Sequence, residues 1–233
     1  MISAARPRFS LIIPALNEAA GIAETLAALA SWRAAGDEVI LVDGGSTDDT
    51  VAQARGLVDL IVEASRGRAR QMNAGAQRSR GECLVFVHAD TRLPAGARAV
   101  LGALMASHPA PWGRFDVRLS GAHPLLRVVE RMMNLRSRLT GIATGDQVIF
   151  VARHRFNAIG GFPDQPLMED IEFSTRLRRK VRPCCVRLPA ITSSRRWERQ
   201  GILRTILLMW GLRLRYFFGA DPEVLARAYR SAR

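Results

Sequence analysis

The chain has 233 residues, 48% of them hydrophobic, and a formal net charge of +13, which is enough material for one sizeable core. Three cysteines provide neither a disulfide framework nor a paired C-x-x-C zinc spacing, and 6% aromatic content without a zinc-finger or RNP sequence argues against nucleic acid as a partner. The basic excess is uneven: residues 1–150 hold 17 basic and 14 acidic groups, residues 151–233 hold 17 and 7, so the last third is suited to an anionic partner.

Taken in chain order, short apolar runs over residues 9–14, 38–42, 57–62 and 84–88 read as strands. Helical patterns over 19–32, 47–54 and 68–80 alternate with them, the second opened by Ser46 as an N-cap. That alternation predicts βα units feeding a parallel sheet. Beyond Asp90 the pattern continues with a helix over 94–107, a Pro-rich turn at 108–111, a strand over 113–119 and an Arg-studded helix over 123–139. A strand over 147–152, a Gly-Gly-Phe-Pro turn at 160–163 and a short helix over 169–179 follow.

The stretch 202–218 is apolar but interrupted by Arg204, Arg213 and Arg215. Two readings stand for it: an interfacial amphipathic helix, or a helix packed on the domain with its arginines in water. The apolar run that begins at Phe9 is too short for a signal-peptide core, and no segment reaches the about 18 apolar residues of a spanning helix. The expectation is a cytoplasmic protein, peripheral at the inner face of the membrane if it meets one.

Four acids fall where strands end or a later helix begins: Glu18, Asp43, Asp90 and Asp170. In an open parallel sheet the ligand crevice lies beyond the carboxyl ends of the strands, so these acids are expected to share one cleft. Crowded carboxylates repel unless a cation, a hydrogen-bonding ligand or a proton-transfer task engages them.

Read in order, Pro14-Ala15-Leu16-Asn17-Glu18, Val42-Asp43-Gly44-Gly45-Ser46-Thr47-Asp48, His88-Ala89-Asp90-Thr91 and Glu169-Asp170 closely resemble the motif series of family 2 glycosyltransferases over roughly residues 8–200. The His-Ala-Asp-Thr string in place of Asp-x-Asp is similar to one bacterial branch of that family. The resemblance implies an α/β fold of the glycosyltransferase A type: a single Rossmann-like domain over residues 1–200 with a mostly parallel central sheet flanked by helices. A basic amphipathic helical tail over residues 201–233 completes the chain.

It further implies inverting transfer of a sugar from a nucleotide diphosphate donor, typically a UDP-sugar, to an acceptor hydroxyl on a lipid or membrane-associated glycan. Asp43 would accept a hydrogen bond from the nucleotide base, and Pro14, Leu16 and Glu18 would line the nucleoside pocket. Arg70, with its neighbours Arg66 and Arg68, would face the diphosphate, because guanidinium forks match phosphate oxygens. Asp90 would hold Mn²⁺ or Mg²⁺. His88 departs from the carboxylate of the family pattern, and imidazole suits Mn²⁺ better than Mg²⁺.

Asp170 would take the acceptor proton beside Glu169, and Asp146 would be an acceptor ligand, with the 160–162 turn shaping that side. Ser193-Ser194-Arg195-Arg196-Trp197 partly resembles the Gln-x-x-Arg-Trp motif of processive synthases. Arg196 and Trp197 are kept, so both are expected on the diphosphate or acceptor, but the glutamine is absent. The competing reading is a non-catalytic, anion-binding peripheral membrane module that retains the fold. A nucleotidyltransferase is disfavoured because no glycine-rich loop with a lysine lies near the N-terminus.

Overall fold

In a computed structural model, residues 8–231 are described, so the expected outer bounds of the domain and tail (residues 1–7 and 232–233) lie outside the described residues. In chain order the elements are β1 (Phe9–Ala15), α1 (Ile22–Ala27), α2 (Ala30–Ala34), β2 (Glu38–Asp43), α3 (Thr50–Ala54), β3 (Leu60–Glu63) and α4 (Arg68–Arg78). Then come β4 (Cys83–Phe86), β5 (Thr91–Arg92), α5 (Ala97–Ser107), β6 (Trp112–Leu119), α6 (Pro124–Thr140), a 3₁₀ turn (Gly145–Gln147) and β7 (Ile149–Ala152). The chain ends with α7 (Arg153–Ala158), α8 (Glu169–Arg178), β8 (Cys184–Thr192), α9 (Arg195–Gln200), α10 (Ile202–Phe217) and α11 (Pro222–Ser231).

These strands form one mixed sheet in the order β3-β2-β1-β4-β7-β6-β8-β5. The half built by β3, β2, β1 and β4 is parallel, as the βα alternation requires. β7 runs antiparallel to both β4 and β6, whereas β6 and β8 are parallel with a register shift at Phe115/Asp116. The α/β class with a mostly parallel sheet, flanking helices and C-terminal helices is the expected architecture.

The sheet has a core on each face, because successive strand residues point to opposite sides. Leu11, Ile13, Val39, Leu41 and Val85 pack on one side with α1, α2 and α5 residues such as Leu26, Trp32 and Leu101. Ile12, Ile40, Val42, Leu84 and Phe86 pack on the other with Met72 of α4 and Phe173 and Leu177 of α8. Burial on both faces explains why the central strands read as continuous apolar runs rather than alternating ones.

Three local readings are corrected. The helix expected over 19–32 is two short helices, tightened between them by i→i−3 bonds from Leu29 N to Leu26 O and from Trp32 N to Leu29 O. Ser46 does not cap the helix after β2: its hydroxyl donates to Asp43, and the helix starts only at Thr50, whose N–H the Asp48 carboxylate accepts at 3.0 Å. β8 lies where no strand was expected. Its alternating buried and exposed residues include Arg187 and Pro189, and a proline inside the run hides it as a strand.

Candidate active site

The carboxyl ends of the parallel strands open on a cleft of about 690 Å³. Pro14, Leu16 and Glu18 from the end of β1 line it, with Arg66 and Arg68 at the start of α4 opposite. This mouth is held open by a knitted pair of loops. Asn17, in a left-handed conformation (φ 54°), accepts from Thr47 N at 2.8 Å and donates its own N–H to Ser46 Oγ at 3.0 Å. Glu18 N donates to Thr50 Oγ1 and Ala19 N to Asp48, which makes Asp48 a brace of the mouth. Gln71 ties the two strand ends together by donating to Ala15 O at 2.8 Å and Val42 O at 2.9 Å. A buried amide that bridges two strand-end carbonyls costs nothing in unsatisfied groups and fixes their spacing.

Asp43 stands behind this wall, 5% exposed, its carboxylate accepting from Gly45 N, Ser46 N and Ser46 Oγ. Arg70 points to solvent and pairs with Asp164 at 2.7 Å. It is Arg68 that reaches the cleft, where it meets Glu169 at 3.3 Å.

Deeper in the cleft lie His88, Asp90, Asp146 and Glu169. His88 Nδ1 sits 3.5 Å from Asp146, and its Nε2 is buried against the backbone of Gly145 with no hydrogen-bond partner. A Cβ at Gly145 would overlap that nitrogen, so glycine there lets the 3₁₀ turn close over the imidazole. Although burial opposes ionisation of Asp146, His88, followed by Arg196 and Arg68, holds its carboxyl below the usual range. Glu169, 3% exposed, is the opposite case: burial raises it, Arg68 partly offsets this and Asp170 adds to it. Asp170 itself lies just off the cleft surface at the start of α8, with Gly145 N bonded to Oδ2 at 3.0 Å and Ile171 N to Oδ1 at 2.8 Å.

Asp90 presents a carboxylate 33% exposed, 3.8 Å from Arg195, which also reaches Glu18 at 3.1 Å. Among the described residues no three His, Cys, Asp or Glu side chains converge as a metal cage. The donor set therefore suits a hard divalent ion only if Asp90 shares it with oxygens brought by a bound diphosphate. His88 turns Nδ1 toward Asp146, while its unpartnered Nε2 is packed beneath Gly145.

The far wall comes from α6 (Val129, Met132, Met133, Arg136), from Arg196 and Trp197 of α9, and from α10 and α11 (Ile206, Met209, Arg213, Tyr229). Trp197 also packs against the buried cluster of Leu119, Leu126 and Val129, as Ile206 does, so it joins this wall to the domain. Arg196 lies over the Tyr229 ring at 5.4 Å. The 160–162 turn, by contrast, belongs to the core: Phe162 stacks on Phe173 at 4.0 Å, and Asn73 bonds both its N–H and its carbonyl.

With that geometry in view, sequence comparison is decisive: the profile of Glycosyl transferase family 2 matches residues 10–157. The chain belongs to glycosyl transferase family 2. The PGL/p-HBAD biosynthesis glycosyltransferase of Mycobacterium tuberculosis (strain ATCC 25177 / H37Ra) is 36% identical to this chain over 112 residues. That match covers 45% of this chain, which spans 44% of the relative's length. S. aureus TarS 1–349 in complex with UDP-GlcNAc shares the fold at a TM-score of 0.64 and 20% identity, over 80% of this chain and 58% of that one. The mannosyltransferase PcManGT of Pyrobaculum calidifontis, in complex with GDP-Man and Mn²⁺, superposes at 0.62 and 21% identity, over 97% of this chain and 70% of its own.

Several cleft residues of this glycosyltransferase have no signature in the sequence. Arg136, Met209, Arg213 and Tyr229 lie outside every recognisable motif, and only the helical spacing of α6 and α10 hints that one side of each could face a ligand, whereas Gln71 falls in the basic 66–75 segment without itself being marked there.

Proposed function

We propose that this glycosyltransferase moves a sugar from a nucleoside diphosphate donor, UDP first among them, to an acceptor hydroxyl by direct displacement with inversion. The observation that carries the reading is the single cleft at the strand ends in which Glu18, Asp90, Asp146 and Glu169 face Arg66, Arg68 and Arg196. The complexes of S. aureus TarS with UDP-GlcNAc and of PcManGT with GDP-Man and Mn²⁺ support the donor class.

In this reading Pro14, Leu16 and Glu18 hold the nucleoside. Asp43 reads the base edge by exchanging one of its turn hydrogen bonds for a ring N–H. Arg68 faces the diphosphate, a role to which Arg70 contributes only from the rim. Asp90 would hold Mn²⁺ or Mg²⁺ against diphosphate oxygens, and the ion would supply positive charge to the leaving group. Asp170 takes the acceptor proton: each of its oxygens accepts one backbone bond, which leaves lone pairs for a hydroxyl. Glu169 holds Arg68 in place, Asp146 orients the acceptor with His88, and Arg196 and Trp197 bound the acceptor side.

Titration calorimetry with UDP tests this. Wild-type protein should bind UDP more tightly with Mn²⁺ than without, Asp90→Ala should lose the metal-dependent gain, and Asp43→Ala should weaken UDP in both conditions. Binding that ignores Mn²⁺ in the wild type would remove Asp90 from the metal role. Absence of any nucleotide binding would favour a non-catalytic anion-binding module.

A second feature bears on the acceptor. On α10, Leu203, Leu207, Trp210, Leu214 and Phe217 form one outward stripe with Leu207 73% and Phe217 82% exposed. On α6, Leu125, Val128, Met132, Leu135 and Leu139 form another, Leu139 being 76% exposed. The steps of three and four residues are those of a helix face, and both stripes border the cleft, through Met132 and Trp210.

No helix among the described residues is long and apolar enough to cross a membrane. We propose that the stripes rest on an anionic lipid surface at the inner face of the membrane, with the flanking arginines at headgroup level and the acceptor delivered from the lipid. Leu207→Glu with Leu139→Glu should abolish sedimentation with phosphatidylglycerol vesicles, and wild-type binding should fall with salt. Sedimentation unchanged by the substitutions would sink the membrane reading.

A further inference from the structure

The acids of the cleft are answered by a partner: Glu169 by Arg68, Asp146 by His88, and Glu18 and Asp90 by Arg195. Among the described cleft arginines without an ion pair, which include Arg66, Arg196 and Arg230, it is Arg136 of α6 and Arg213 of α10 whose guanidinium nitrogens are shut away from solvent. Arg136 Nε and Nη2 and Arg213 Nε are buried without a hydrogen-bond partner, and among the described residues neither guanidinium forms an ion pair. Both line the cleft. Burial, followed by the like charge of Arg213, pushes Arg136 down to about 10, so it stays a cation at neutral pH. Two half-buried cations side by side are an unfavourable arrangement without an anion, since a charged donor that is shut from water and unpaired keeps its desolvation cost.

Their position sets them apart from the donor's expected diphosphate. Arg68, on α4 beside the strand ends, faces Glu169 on the donor side, whereas Arg136 and Arg213 stand on the far wall. The acidic charges acting on both of them are Asp170 and Asp146, which on the reading given above are the base and an acceptor ligand; both also act on Arg68, so it is the place on α6 and α10 that separates the pair from it. Met132, Met133, Ile206 and Met209 line the same cleft from α6 and α10 with apolar surface, which would strengthen an ion contact made beside it.

We propose that Arg136 and Arg213 form a preformed subsite for a phosphate-class oxyanion carried by the acceptor, distinct from the site of the donor diphosphate. Two guanidinium forks from different helices match a tetrahedral oxyanion better than a planar carboxylate held by one fork. The oxyanion has two sources compatible with the cleft: a lipid headgroup entering between the apolar stripes, or a soluble phosphorylated acceptor. This inference rests on the glycosyltransferase reading for the word acceptor, but the anion site itself does not.

The test titrates inorganic phosphate into the protein saturated with UDP. Wild type should bind, and Arg136→Gln and Arg213→Gln should each weaken phosphate by about tenfold or more, with UDP affinity unchanged. If UDP affinity falls together with phosphate affinity, the pair belongs to the donor diphosphate and the proposal is overturned. Phosphate binding that persists in the double variant overturns it as well. If the wild type binds no UDP, the donor reading fails alone, and the phosphate titration without UDP still decides the subsite.

Folding is checked in the same samples. Removing an unanswered buried charge should raise the unliganded melting midpoint by about 2–4 °C in each variant, and phosphate should raise the wild-type midpoint but not that of the variants. A fall in midpoint on losing either arginine would show it to be structural. Vesicles of phosphatidylcholine with and without phosphatidic acid then separate the two sources. An arginine-dependent gain with phosphatidic acid identifies the headgroup, whereas phosphate binding without that gain identifies a soluble acceptor.

Discussion

Asp170→Asn is expected to slow sugar transfer by about 10²–10⁴-fold, the range over which a positioned general base contributes, while UDP binding stays nearly intact. The substitution keeps the size and shape of the side chain, and the amide oxygen can still accept from Gly145 N while the bond from Ile171 N is given up, so the loop over His88 should hold its place. What disappears is the ability to take a proton from the acceptor hydroxyl as its oxygen attacks the anomeric carbon. Turnover measured at saturating donor, beside calorimetric UDP affinity on the same sample, separates the two effects. Equal losses in both would mean that Asp170 acts by positioning the 145–147 turn, and the base would have to be sought at Glu169, the other acid of the pair.

The largest effect on stability is expected at Gly113. This residue sits in β6 between β7 and β8, paired with Phe150 on one side and Cys184 on the other. A Cβ there would overlap the Cys184 carbonyl oxygen and come within 2.8 Å of Phe150 Cζ. One obstacle is backbone and the other a buried ring, so neither yields cheaply. Gly113→Ala should cost about 3 kcal/mol or more and lower the melting midpoint by about 6–12 °C. Gly211→Ala is the matching control: it lies in α10 with nothing within 4 Å of an added Cβ, and alanine favours a helix interior by up to about 1 kcal/mol. A Gly113→Ala protein as stable as this control would show that the β6–β8 pairing tolerates more separation than its geometry suggests.

How far the sequence foretold this molecule depended on which forces left a local trace. The parallel half of the sheet was legible because β1, β2 and β4 are apolar on both faces and alternate with helices. Of the four acids expected in one cleft, Glu18 and Asp90 line it where the sheet's carboxyl ends open, whereas Asp43 stands behind its wall and Asp170 just off its surface. β8 was not legible, because Pro189 and Arg187 interrupt a strand whose partner, β6, lies some seventy residues earlier, and only tertiary pairing reveals it. The helix that begins late at Thr50 shows a different limit: Ser46 and Asp48 look like turn and cap residues, but each also accepts from the loop after β1, through Asn17 N and Ala19 N.

At the site itself, the contrast between Arg68 and Arg70 was decided by helix phase. Both follow Gly67 in one basic run, but two residues along a helix is more than half a turn, so they face different surroundings. Arg136 and Arg213 could not be picked from among 34 basic residues without the structure, because nothing local marks a buried arginine that lacks a partner.

The far wall of the cleft is lightly anchored. Within α10 and α11 only Thr205, Leu212, Leu225 and Ala226 are buried, whereas β1 and β2 hold almost every residue in the core. Segments with so few buried contacts open at lower free energy than the sheet they lean on. Amide hydrogen exchange should therefore show α10 and α11 losing protection well before β1 and β2, as a cooperative unit of their own. A ligand gripped by Arg213 would slow exchange throughout that unit, so arrival of the acceptor would be written into the protection of helices that carry none of the proton-transfer chemistry.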